Sequence, residues 1–169
     1  MTQRTRILIG LAVLIVLVGA ILGIDALQRA SGSPAQATED EPTLAPGSIP
    51  IYLDGQLVGG FSPADLDQLE KVSFIEPEED KKQEGWMLRD VILLHVDGER
   101  LETDSLITVS SSSRDKSAQL TWAEVNEPVN IVVFDLSNRG TLKLVSVMEK
   151  LDTRDEWVQD TDKIEITSP

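Results

Sequence analysis

The chain has no cysteine and a single histidine, His95. Without thiols it can form no disulfide, no thiolate metal site and no cysteine nucleophile, and it offers no sulfur for lipoprotein acylation. One imidazole cannot build a transition-metal cluster or a nucleophilic triad in the usual way. His95 falls on the apolar side of an expected helix, where a core or boundary role is the default. Basic side chains are also scarce, 15 against 29 acidic ones, for a formal charge of −14. The first 29 positions hold three of the basic residues and one of the acidic ones. The remainder therefore carries 12 and 28, a formal charge of −16. Such a surface repels phosphate backbones and anionic headgroups, so nucleic-acid binding is excluded as a principal role. It favours solubility and could steer the domain toward a basic partner. No internal repeat is present, which argues against a solenoid.

What the chain does have is one long apolar run. Residues 7–24, ILIGLAVLIVLVGAILGI, contain no charge and no hydrogen-bonding side chain over eighteen positions. At about 1.5 Å per residue a helix of that length reaches roughly 27 Å, close to the ~30 Å hydrocarbon thickness. Lipid offers no partners for exposed backbone groups, so a continuous helix is expected. A cleaved signal peptide has a shorter apolar core, and the only good small-x-small triplet, Ala35-Gln36-Ala37, lies well past the run. An uncleaved anchor is the reading the length supports. Arg4 and Arg6 precede the span and Asp25 follows it at once, so the N-terminus is expected in the cytoplasm and the rest outside. Gly19 and Gly23 share one helix face at Gly-xxx-Gly spacing and could pack against another transmembrane helix.

Four segments follow: 1–6, a cytoplasmic N-terminus; 7–24, the transmembrane helix; 25–48, a flexible linker; and 49–169, an extracytoplasmic domain. Within the linker, ASGSPAQATEDEPTLAPGS is small, polar and proline-bearing, with almost nothing to bury. The domain is long enough to be held by its core alone.

Ile49 to Leu53 and Gln56 to Gly60 flank Asp54-Gly55, the signature of a hairpin with a type I′ turn. Ser62-Pro63-Ala64-Asp65 supplies a capping serine, a proline at the first helical position and an early acid, predicting a short helix to about Glu70. Val72 to Ile75 reads as a strand, and Glu76 to Glu84 as a charged loop. Trp86 to Val96 places Leu88, Val91, Ile92 and His95 at helical spacing, with Asp97-Gly98 as its terminator. Leu106 to Ser110 reads as a strand, Ser111 to Ser117 as a polar loop, and Thr121 to Glu124 as a capping box opening a short helix. Val129 to Phe134 and Leu142 to Met148 read as strands around a turn at Asn138 and Gly140. Lys163 to Thr167 alternates as a closing strand. The expected fold class is α+β, mostly strand with two or three short helices.

The order of these pieces resembles the oxidoreductase molybdopterin-binding domain, the sulfite-oxidase-like fold. Ser62 to Leu66 is similar to that family's S-x-x-D-L, and Gly85-Trp86-Met87-Leu88-Arg89-Asp90-Val91-Ile92 to its G-x-x-L-R-D-V-L helix. Val109 to Asp115 looks like its serine-rich strand end, and Gly140 to Val145 like its G-x-L strand. Trp157-Val158-Gln159 with Ile164-Glu165-Ile166 echoes its closing segment. The resemblance spans most of residues 50–167 and implies a mixed β-rich domain. It also shows what is missing. The family's metal-ligand cysteine has no counterpart, and a lysine usual near the end appears as Gln159. The regions matching its phosphate-binding cations offer only Arg114, Lys116, Arg139 and Lys143. The chemistry is expected to be lost, so no catalytic residue, metal ligand or cofactor is assigned.

Three further groups are candidates. Ser110 to Ser113 lie near Lys116 and could suggest a Ser-Lys pair, although a polar loop explains them. The acids Glu76, Glu78, Glu79 and Asp80 lack the ordered spacing of a calcium loop, and those from Asp152 to Asp162 do too. Trp86, Trp122 and Trp157, the only tryptophans, stand at expected element boundaries; core packing is the default, and an exposed pair would mark an interaction surface. The composite expectation is a membrane-anchored, non-catalytic accessory, assembly or interaction subunit with a protein partner in a membrane complex. The alternatives are an anchored molybdopterin-type oxidoreductase and an extracytoplasmic ligand-binding sensor.

Overall fold

The computed structural model describes residues 42–76 and 80–169. The expected membrane span at 7–24, with Gly19 and Gly23, lies outside the described residues. Among those described, no helix is long and apolar enough to cross a membrane. The described part is a β-rich α+β domain with few helices.

It opens with a hairpin of β1 (Ile49–Leu53) and β2 (Gln56–Phe61). Asp54 and Gly55 take φ of 51° and 79°, the left-handed pair that a type I′ turn requires. Opposite Ile51 and Tyr52 the register slips by one residue, so β2 carries a bulge at Val58. The strands β3 (Lys71–Ile75) and β4 (Lys82–Met87) pair antiparallel, and the helix α1 (Leu88–Leu93) follows β4 directly. Then come β5 (Leu106–Ser111), β6 (Lys116–Thr121), α2 (Trp122–Asn126), β7 (Val133–Leu136), β8 (Leu142–Val145) and β9 (Lys163–Thr167).

Two sheets result, one ordered β2-β1-β9-β5-β6 and the other β3-β4-β7-β8. The closing strand β9 inserts between β1, to which it is parallel, and β5, to which it is antiparallel. Both sheets contribute to one core: Ile51, Ile107, Val109, Ile164 and Ile166 from the first meet Trp86, Phe134, Leu142 and Leu144 from the second. Phe61 and Phe134 bridge them with ring centroids 5.9 Å apart. The second sheet buries a smaller cluster on its other face, where Phe74, Met87, Val133 and Val145 lie under Trp157.

Several expectations need correction. The helix predicted from Trp86 begins only at Leu88, and the charged loop predicted through Glu84 is strand from Lys82 onward. Trp86 enters the main core while Met87 enters the smaller cluster, the period-two alternation of a strand bonded on both sides. Tertiary pairing overrides the local helical spacing. Gly98 does not terminate that helix in a left-handed conformation; it opens a 3-10 turn, Gly98–Arg100, capped by Asp97, whose carboxylate accepts from Glu99 N. The polar loop predicted at 111–117 is a single turn, Ser112–Arg114, before β6 begins. The strand predicted from Val129 starts at Val133, because Pro128–Asn130 form a 3-10 turn and Ile131 is left-handed at φ 45°. The box at Thr121 forms as expected: Glu124 N donates to the Thr121 hydroxyl and Thr121 N to the Glu124 carboxylate.

Candidate functional site

The second sheet's outer face carries Gln83 on β4, Asp135 on β7 and Lys143 on β8. Asp135 and Lys143 are cross-strand partners, and Lys143 Nζ meets the Asp135 carboxylate at 2.8 Å. Lys143 also donates to Gln83 at 3.4 Å, and Gln83 donates to the buried Glu76 at 3.0 Å, so a polar chain runs across the strands. The segment after β8 folds back over this face. Leu144 and Val158 exchange backbone hydrogen bonds, which fixes Trp157 against the sheet. Lys143 Nζ stands 4.6 Å from the Trp157 ring centroid and the Arg154 guanidinium carbon 5.9 Å, both within cation–π range.

Beside Trp157 lie two adjoining hollows that share Arg154, Trp157 and Gln159. The larger, of about 640 Å³, is flanked by Lys82, Glu84, Asp135, Arg139 and Lys143. The smaller, of about 240 Å³, is flanked by Arg114, Lys116 and Asp155. Among the described residues, six basic side chains and three acidic ones therefore line the groove. Beyond residue 29 the chain holds 12 and 28, so half of these cations converge on one place.

Asp160 organises the rim. Its backbone is left-handed, at φ 55°, and its carboxylate accepts from Thr141 Oγ1 at 2.7 Å, Arg114 Nε at 2.7 Å and Arg139 Nη2 at 2.9 Å. The Thr141 hydroxyl bond, and then the Arg114 guanidinium, hold the Asp160 carboxyl below the usual carboxylate range. Each guanidinium engages Asp160 through a single nitrogen and remains about half exposed, leaving donors for a further acceptor. Lys116 Nζ donates to the Asp155 carbonyl.

The four cations taken from the family resemblance, Arg114, Lys116, Arg139 and Lys143, are thus brought together around Asp160 and Trp157. Sequence reasoning missed Lys82, Arg154 and the organising Asp160. Arg154 precedes Trp157 by three positions, a spacing that could have suggested a contact; nothing near Lys82 carried a signal. Trp86, Trp122 and Trp157 are 1%, 7% and 4% exposed, which fits the packing role and leaves no exposed pair to serve as an anchor surface. The indole nitrogens of Trp86 and Trp157 are buried without a hydrogen-bond partner.

The other candidates disperse. His95 sits in the turn after α1, its ring 6.5 Å from that of Phe61 and packed so tightly on Gly59 that a Cβ there would lie 2.5 Å from Nδ1. Burial pushes the His95 pKa down, opposed by the Asp65 charge. Ser110 Oγ has no hydrogen-bond partner, the Ser111 and Ser113 hydroxyls bond each other, and Lys116 donates to the Asp155 carbonyl, so the expected serine–lysine pair does not form. Asp162 accepts from Ser112 N, Glu156 from Thr153 N, and no group of three metal-binding side chains occurs among the described residues. Glu78 and Glu79 lie outside the described residues. No protein-family model matches the chain, and no curated protein matches it.

Proposed function

We propose that this chain is a membrane-anchored, non-catalytic accessory subunit whose acidic domain, outside the cytoplasm, serves assembly or interaction. The observation that carries this reading is the groove beside Trp157, where six of the domain's cations gather on a molecule that is otherwise strongly acidic. Convergent charge of the minority sign marks a place where a partner of opposite sign is steered and held. The eighteen-residue apolar run supports the anchor. Affinity isolation of the intact protein from membranes in mild detergent tests the proposal. A stoichiometric partner is expected; a monodisperse free monomer, or a freely diffusing product beginning near residue 38, would overturn it.

A second reading has its own support. Arg114, Lys116, Arg139 and Lys143, matched by resemblance to phosphate-binding positions, line the same groove. With the order of elements from the opening hairpin to β9, this favours a sulfite-oxidase-like fold descended from a pterin-binding domain. The donor set does not fit the metal half of that cofactor, since the chain has no thiolate to bind molybdenum. Metal and pterin analysis of natively expressed protein separates the readings: either component at stoichiometric level would favour the oxidoreductase.

A further inference from the structure

We infer that the groove beside Trp157 takes an extended acidic segment of a partner polypeptide, with an apolar side chain seated between its carboxylates. This deepens the interaction reading above and rests on it. Three features select the chemistry.

The first is what the groove already holds. Its cations grip individual carboxylates of the same chain, Asp160 between Arg114 and Arg139, and Asp135 on Lys143. Arg114 and Arg139 each spend one nitrogen in doing so. The spare edges of these forks present the same geometry to carboxylates arriving from outside.

The second is how the charge is distributed. The six cations come from four separate stretches of chain, at 82, 114–116, 139–143 and 154, and three acids, Glu84, Asp135 and Asp155, are interleaved with them. Among the described residues, and counting Asp160 on the rim, the groove carries two net positive charges. A compact phosphate dianion would concentrate its charge beside those acids. Lys82 and Lys143 are each already paired with an acid, Glu84 at 2.6 Å and Asp135 at 2.8 Å, so single carboxylates spaced along a strand can meet each cation on its remaining donors without stacking their charge beside one acid. Elsewhere the acidic surface repels the same peptide, so engagement is confined to this place.

The third is an apolar contact. Leu136, at the lip of the larger hollow, is 42% exposed although it is the last residue of a core strand. It offers a partner leucine or valine a surface beside the carboxylate sites.

The test uses the full chain in uncharged detergent micelles and a short dye-labelled peptide rich in glutamate with interspersed leucine. Anisotropy should report saturable binding that weakens with added salt. Lys82→Glu, which leaves the Asp160 cluster intact, and Arg139→Glu should each weaken it about tenfold, the change that ~1.4 kcal/mol produces. Arg100→Glu, an equal charge change outside the groove, should alter it by less than about twofold. Urea unfolding of each variant establishes that Lys82→Glu, at least, remains folded. Equal losses in Arg100→Glu, no saturable binding, or displacement of the peptide by a lower concentration of inorganic pyrophosphate would each overturn the inference. Membrane isolation of the same variants distinguishes the two levels. A partner retained by Lys82→Glu and Arg139→Glu sinks the groove assignment alone, whereas a wild-type chain with no partner sinks the interaction reading beneath it.

Discussion

Replacing Gly85 with alanine sets two effects of opposite sign against each other. Glycine inside a strand is normally worse than alanine by roughly 0.5–1 kcal/mol, because the unfolded chain loses more freedom. Propensity alone therefore expects Gly85→Ala to stabilise. The packing expects the reverse. A Cβ on Gly85 would lie 2.2 Å from the Phe134 carbonyl oxygen, 2.8 Å from its carbonyl carbon and 3.3 Å from Asp135 Cα. All three are backbone atoms of β7, so no flexible side chain can yield. Restoring a normal carbon–oxygen separation needs about 1 Å of movement between strands spaced ~4.8 Å apart. That would strain the short ladder pairing Gly85, Trp86 and Met87 with Asp135, Phe134 and Val133. Overpacking costs about 1–3 kcal/mol, and each weakened ladder bond about 1 more. After subtracting the propensity gain, the net loss is roughly 3 kcal/mol, a large part of the ~5–15 kcal/mol that holds a typical domain together. With m near 1–3 kcal/mol/M, the urea midpoint should fall by about 1–3 M. Intrinsic fluorescence follows the transition directly, since all three tryptophans belong to this domain. Gly98→Ala is the control, because its Cβ would meet only the end of the Leu93 side chain, at 3.2 Å. A Gly85→Ala protein as stable as wild type would refute the claim that β4 and β7 are in contact through this position.

Asp160→Asn keeps the left-handed backbone that asparagine tolerates but removes the charge between Arg114 and Arg139. With both guanidiniums about half exposed, the loss should be only about 1–2 kcal/mol by urea unfolding. The Asp160 pKa is depressed on folding, so its contribution is present above the unfolded value of ~3.9 and lost as pH falls through the folded one; the gap to the variant should close in that acidic window. For His95 the folded pKa is also depressed, by burial, and the unfolded state binds the proton more readily. Stability should therefore be full above ~6.5 and decline as pH falls below it, and His95→Gln should flatten that part of the profile of urea midpoint against pH. An identical slope in both proteins would show that His95 is not the group responsible.

The parts legible in the sequence were those set by short-range chemistry. Asp54-Gly55 dictates its turn through backbone sterics, Thr121 and Glu124 satisfy each other three residues apart, and Lys163 to Thr167 alternates because one face of β9 enters the core. Errors arose where long-range pairing decided. Lys82 to Glu84 are polar and look like loop, yet β3 pairs with all three, through Ile75, Phe74 and Ser73. Lys116 to Thr121 is so polar because β6 is an edge strand with one wet face. Val129 and Ile131 carry strand propensity but follow Pro128, which opens a 3-10 turn.

The groove was half legible for the same reason. Its cations stand at positions 82, 114, 116, 139, 143 and 154, too far apart for any local spacing rule to join them. Only topology does so: the β7–β8 turn brings Arg139 to Asp160, the return of residues 154–159 over the sheet carries Arg154 and Trp157 to Lys143, and the turn between β5 and β6 delivers Arg114 to the same carboxylate as Arg139. Net charge pointed away from such a site, because a sum over the chain cannot register the gathering of its minority sign. In a domain with more than twice as many acids as bases, the few cations are more informative than the many anions. Anions can scatter over a solvated surface with little consequence, whereas six cations in one groove leave the rest of the domain with many more acids than bases. Under the interaction proposed above, that contrast would make the groove the place among the described residues where an acidic partner is drawn in rather than turned away.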